Sequence, residues 1–280
     1  KNNRRSGLKN IFIYLDKKHN TLKTRKIVSD TEKITNQINF CNDLALEPAN
    51  KLTPDKFVEV IKQQAKIYRY NVDIINQDKL KKMGMNLLLS VGQGSKYPCY
   101  LAVLRYPSNN KTNKKNIVLL GKGVTFDTGG ISLKNLKNLT EMKSDMLGAS
   151  TVLGIFNTLS SLNQKTNYNI IGILPIVENM IGTSAVVPGD IITSHSGKTV
   201  EIRDTDAEGR LILADSLSYA QKNIKNIDFI IDIATLSYTS VLVGCGLFEI
   251  VMSNNKKLAS RIINHGNKVN EDFLELPIYD

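Results

Sequence analysis

Apolar positions along the chain follow two rhythms that alternate. Between residues 52 and 70, Phe57, Val58, Ile61 and Ala65 share one face behind Thr53 as N-cap and Pro54 at the first helical position, which predicts a helix. Short apolar runs follow at 72–75, 101–104 and 117–120, each bounded by polar or turn-forming residues, as buried strands are. Farther along, the same reading gives a long helix over 142–162, a strand over 170–176, a helix over 209–222, a strand over 229–233 and a helix over 258–269. Residues 191–193 and 199–202 flank "SHSGK" and predict a small hairpin with a glycine turn. Strands alternating with helices imply an α/β layered fold, and no internal repeat interrupts the pattern.

A chain of 280 residues can bury a full core as one main domain. Its 41% apolar and 22% charged residues are ordinary for a soluble globular protein, and no apolar run is long enough to span a bilayer. The basic first residues lack the apolar stretch of a secretory signal, and Cys41, Cys99 and Cys245 are odd in number and far apart. Reduced thiols in a cytoplasmic protein are therefore expected, with no membrane partner. A net charge of +11 attracts phosphate in principle. The lysines, however, are scattered among asparagines, as in "NNKTNKKN", with no aromatic platform or nucleic-acid motif, so a solvated surface is expected rather than a nucleic-acid partner.

The polar clusters fall where strands end or helices begin, the edge at which open α/β sheets bind ligands. Residues 121–134, "GKGVTFDTGGISLK", follow a buried strand and place two lysines, an aspartate and four glycines in one loop. A phosphate loop would need a Gly-Lys-Ser/Thr ending that opens a helix, and that ending is absent. Downstream, "EMKSDM" supplies Asp145, and "DTDAEGRLILAD" supplies Asp206, Glu208 and Arg210 at the head of another helix. Any one of these acids could merely complement a helix dipole. Converging on one crevice, Asp127, Asp145, Asp206 and Glu208 would repel one another unless cations lay between them, which points to divalent metal and hydrolysis.

The two long motifs resemble those of the cytosol leucine aminopeptidases, in the same order and at similar separations. The likeness extends from "CNDLALEPANKLTP", beginning at Cys41, to "LPIYD" at the end of the chain. The resemblance implies an α/β catalytic domain with a mixed central β-sheet flanked by helices. Residues 41–280 would be that domain, lacking the family's C-terminal part, and residues 1–40 a remnant of the N-terminal domain and its linker. It implies two divalent ions per subunit, zinc, manganese, magnesium or cobalt. Lys122, Asp127, Asp145 and Glu208 would hold the tighter ion, and Asp127, Asp206 and Glu208 the more exchangeable one. Lys122 could coordinate only as a neutral amine, its pKa pulled far down by the dications. Lys134 would polarise the scissile carbonyl, and Arg210 would anchor a bicarbonate or ordered water as the base. Met142, Thr235 and Leu236 would line the pocket for the first side chain or contact substrate through backbone, with core packing as the plainer role for Met142. A short peptide would enter by its free amine, and the subunits would form a homohexamer.

Four positions depart from the family pattern. Ser237 and Tyr238 replace a threonine-glycine pair, Leu147 replaces a glycine, and Asp204 stands where asparagine is usual. The ring of Tyr238 would favour small side chains, leaving a narrow dipeptidase preference open beside the leucyl-type activity. A non-catalytic member that binds nucleic acid is the alternative from another class. His19, His195 and His265 match no ligand spacing and are expected to be structural. No cysteine has a base partner in its sequence context, so a cysteine-protease mechanism is not supported.

Overall fold

A computed structural model describes residues 12–110 and 115–279. The helices are α1 (Leu22–Leu46), α2 (Pro54–Tyr68), α3 (Gln77–Met83), α4 (Asn86–Gly92), α5 (Leu136–Leu139), α6 (Leu147–Ser161), α7 (Glu208–Asn223), α8 (Thr239–Gly244) and α9 (Lys256–Gly266). The strands are β1 (Asn71–Ile75), β2 (Tyr100–Tyr106), β3 (Asn116–Gly121), β4 (Gly123–Asp127), β5 (Asn169–Asn179), β6 (Ile191–Thr193), β7 (Thr199–Glu201), β8 (Ile227–Ile233), β9 (Glu249–Val251) and β10 (Phe273–Glu275). Two compact units result, one through Ala234 and one from Thr235 onward.

In the first unit the central sheet has the order β1-β2-β5-β3-β8, with β4 also paired to β5. It is mixed: β1–β2 and β2–β5 are antiparallel, whereas β5–β3, β3–β8 and β4–β5 are parallel. Alternate residues of each strand serve opposite faces. Leu101 and Val103 pack with Leu88, Val91 and Ile212 under α4 and α7, while Ala102 and Leu104 pack with Phe57, Ile61 and Phe156 under α2 and α6. Helices thus cover both faces, as a parallel-cored sheet requires. Thr53 caps α2 through its side chain, with Pro54 beginning the helix, as expected. The hairpin also forms, β6 and β7 pairing antiparallel around Gly197 at φ +92°.

The sequence reading of one helix over 142–162 does not hold. Residues Thr140–Ser144 form a tight 3-10 turn, Asp145 and Met146 leave helical geometry, and α6 starts only at Leu147. The break swings the Asp145 carboxylate toward the sheet edge, which a continuous helix would not do. Helix α1 runs through the boundary expected at residue 41 and sends Leu44 and Ala45 into the core. A buried amide network joins it to its neighbours: Asn157 donates to Gln37 and Gln64 and accepts from Tyr70. In the second unit, β9 and β10 pair in parallel, and Gly266 at the end of α9 leaves room for the Phe273 ring, which a Cβ would approach to 2.5 Å.

Candidate metal centre

Strands β3 and β4 run one after the other along the same side of β5, Leu120 beside Ile173 and Gly123 beside Ile176. Lys122 sits at the break between them. Its N–H donates to the Ile233 carbonyl (3.0 Å) and its carbonyl accepts from the Ala149 N–H (2.8 Å), fixing the main chain from two sides. A Cβ on Gly121 would lie 2.7 Å from Ala149 Cα, and one on Gly123 2.5 Å from the Pro175 carbonyl oxygen. Only glycine permits so close an approach of α6 and β5 on either side of the lysine.

Three carboxylates meet the Lys122 side chain or one another at this edge. Asp127 ends β4, Asp145 follows the 3-10 turn, and Glu208 opens α7. Lys122 Nζ is 2.7 Å from Asp145 Oδ1 and 2.7 Å from Glu208 Oε1. Asp127, Asp145 and Glu208 each offer one oxygen, all within 4.8 Å of one another. The second Glu208 oxygen, Oε2, is buried and has no hydrogen-bond partner among the described residues. Such an orphan is costly unless a cation fills the gap. Hard oxygen donors at this spacing suit magnesium, manganese or zinc, so the residues fit a divalent ion.

The electrostatics agree with that fit. Burial pushes the Asp145 carboxyl up to about 7; Lys122 partly offsets this and the Glu208 charge adds to it. Burial likewise raises Glu208, against Lys122 and with Asp127. For Lys122, burial works against the charge, but Asp145 and Glu208 outweigh it and hold the pKa above the ordinary lysine value. The chain's own groups therefore keep this ammonium protonated; only dications among the carboxylates could reverse that balance and free the amine as a ligand.

A second ion pair lies alongside. The loop after β4 turns through Gly129 and Gly130, both at positive φ (+85° and +66°), and brings Lys134 back over the centre. Lys134 Nζ is 2.9 Å from Asp127 Oδ2 and also pairs with Asp206 Oδ1. Burial disfavours its charge, yet the two carboxylates raise its pKa. Asp204, the position where the family pattern has asparagine, accepts a hydrogen bond from the Asp206 N–H (2.9 Å) and so fixes the turn that presents Asp206.

Six of the ten residues singled out from sequence therefore cluster: Lys122, Asp127, Lys134, Asp145, Asp206 and Glu208. Arg210 is exposed on the first turn of α7. Met142 is half-buried in the 3-10 turn, its carbonyl accepting from the Asp145 N–H (3.4 Å); the fully buried methionine here is Met146. Thr235 and Leu236 open the second unit with exposed side chains. His195 is structural, as expected: its Nδ1 is 2.8 Å from Ser218 Oγ and its N–H donates to Asp215.

Two supporting residues escaped the sequence reading. Asn179, at the end of β5, donates to Asp127 Oδ1 (2.8 Å) and to the Thr205 carbonyl (3.1 Å). Thr205 and Ser132 exchange hydrogen bonds, each backbone N–H donating to the other's hydroxyl, which ties the Lys134 loop to the segment before α7. A buried polar pair, Glu178 and Asn179, closing an apolar run was the available signal for Asn179. Thr205 lay inside a recognised motif without a role.

A mixed sheet whose carboxyl edge gathers acids and lysines defines an α/β protein with a candidate divalent-cation centre at the usual crevice. The chain belongs to the cytosol aminopeptidase family, whose catalytic-domain model matches residues 39–280. It is 41% identical over 255 residues to a probable cytosol aminopeptidase of Phytoplasma australiense, covering 91% of this chain and 50% of that protein. It is 38% identical to that of Rickettsia canadensis, covering 98% and 53%. The chain thus spans about half the length of the curated relatives it matches. Among solved structures, the bottromycin maturation enzyme BotP in complex with Mn superposes with a TM-score of 0.85 at 31% identity, over 92% of this chain and 55% of that one. A leucine aminopeptidase of Caenorhabditis elegans gives 0.84 at 31% identity, over 90% and 50%.

Proposed function

We propose that this chain carries the catalytic centre of a two-metal aminopeptidase that releases N-terminal residues from short peptides. The observation that carries the reading is the set of Asp127, Asp145 and Glu208 oxygens within 4.8 Å of one another, between the buried Lys122 and the half-buried Lys134. Family membership and the manganese complex of a structural neighbour support it. In this reading Lys122, Asp127, Asp145 and Glu208 hold one ion, and Asp127, Asp206 and Glu208 the other. Bound dications would polarise the scissile carbonyl and make a water nucleophilic at neutral pH.

The chain's own side chains do the remaining work. Lys134 stays charged because two carboxylates face it, and its long stem lets the ammonium reach the substrate carbonyl oxygen and steady the oxyanion. Arg210 anchors a bicarbonate or ordered water that takes the proton. Met142 borders the first side chain of the peptide. The same reading makes the assembly a homohexamer in the cytoplasm. Among the described residues, no helix is long and apolar enough to cross a membrane.

The test is hydrolysis of leucine-amide and a panel of aminoacyl-coumarins with added manganese, before and after chelation. Chelator-sensitive turnover of leucyl substrates supports the proposal, and turnover of small residues alone supports the narrow dipeptidase. Retention of DNA without any turnover sinks both. A second measurement reads the site's charge. The folded Asp145 pKa exceeds its ordinary 3.8, so the folded chain holds an extra proton up to about 7, and intrinsic stability falls as pH rises through that window. A dication needs the ionised carboxylate and contributes most above it. The rise in melting temperature on adding manganese should therefore shrink as pH falls from about 8 to about 6. A manganese effect that grows on acidification would contradict the assignment.

A further inference from the structure

The Asn179 side chain is 2% exposed and has its carboxamide placed between two acceptors, Asp127 Oδ1 at 2.8 Å and the Thr205 carbonyl at 3.1 Å. Both partners are acceptors, so only the NH₂ end can face them, and both of its hydrogens are used. Its own main chain is equally committed. The Asn179 carbonyl accepts from the Thr128 N–H (2.9 Å) and from Thr128 Oγ1 (3.0 Å). One residue therefore touches the end of β4, the loop that returns Lys134, and the segment that leads into Asp206 and Glu208.

The consequence for Asp127 is directional. Asp127 Oδ1 already accepts from Asn179 Nδ2 and from the Gly129 N–H (2.9 Å), leaving Oδ2 to face Lys134 and the rest of the centre. Without the amide, Oδ1 would keep the Gly129 N–H and Oδ2 the mobile Lys134 ammonium, a weaker hold on a carboxylate whose terminal torsion is broad and soft. The Thr205 carbonyl would also be left buried without its donor, loosening the turn before Asp206. Outer groups that hold a ligating carboxylate commonly set affinity without touching the ion.

We propose that Asn179 is a positioning residue for the metal centre, orienting the Asp127 carboxylate and tying it in register to the Asp206–Glu208 segment. This rests on the two-metal reading above. The test is manganese titration by calorimetry on the intact chain and on Asn179→Leu, which keeps the bulk but cannot donate, and Asn179→Ala. Asn157→Ala serves as the control, since it breaks a buried amide network away from the centre.

Both Asn179 variants should bind manganese about 10- to 100-fold more weakly, with kcat reduced and KM for leucine-amide little changed. Asn157→Ala should lower the melting temperature while leaving manganese affinity within about twofold of the parent. If the folded Asn179→Leu protein binds manganese as the parent does, or if Asn157→Ala weakens binding equally, the positioning role is overturned while the two-metal reading stands. A parent chain that binds no manganese removes both.

Discussion

Glu208→Ala is expected to reduce leucine-amide hydrolysis at least about a thousandfold, because it removes an oxygen from each of the two proposed ion sets and so several kcal/mol of stabilisation. Glu208 opens α7 with one oxygen 2.7 Å from Lys122 and the other buried, with no hydrogen-bond partner among the described residues. Its loss takes away one of the carboxylates paired with Lys122 and one of the three oxygens that Asp127, Asp145 and Glu208 bring together. Manganese content by elemental analysis should fall with activity while circular dichroism stays unchanged. A variant retaining a tenth or more of parental kcat/KM would show that Glu208 is not a ligand. Glu208→Gln sharpens the result. It preserves shape, so a comparable loss would assign the effect to the carboxylate charge.

The second large effect concerns stability. Asp215 lies two turns along α7 and is fully buried. Its Oδ2 accepts from the Leu87 and Leu88 N–H groups (2.9 and 3.2 Å) at the start of α4, and its Oδ1 accepts from the His195 N–H (2.9 Å) in the hairpin turn. One carboxylate thus fastens α4 and the β6–β7 hairpin to the helix that begins with Glu208. Asp215→Ala leaves two buried donors and one part-buried donor without this acceptor, at about 1–3 kcal/mol each before relaxation, so a loss of about 3–5 kcal/mol is expected. Thermal or urea unfolding reads this as a fall in melting temperature of roughly 10 °C. A change under about 1 kcal/mol would mean that water replaces the carboxylate at this junction.

Where periodicity is strong, the chain announces its own structure. The α2 boundary follows from Thr53 and Pro54, and β2, β3 and β5 from apolar runs that both faces of the sheet bury. Other elements were hidden for identifiable reasons. Helix α1 leaves Ile27, Val28, Ile34 and Ile38 substantially exposed, so its apolar positions do not mark a single buried face. Strand β4 lies inside a glycine-rich loop and owes its form to pairing with β5, which local propensity does not register. The break at Asp145 is a tertiary choice: Lys122 offers the carboxylate a partner that a continuous helix would withhold. Site residues were legible where several charged types crowded a motif. The roles of Asn179, beside Glu178 at the end of β5, and of Asp215, at the end of the second motif, were not, because their partners come from distant segments.

The two lysines of the centre have one more implication. Each ammonium lies between a pair of acids, Lys122 with Asp145 and Glu208, Lys134 with Asp127 and Asp206. Four converging negative charges therefore arrive with two positive ones supplied by the same 121–134 loop. Half of the crevice's charge is thus met from within the chain, and the remaining pair of negative charges equals what a single dication would neutralise.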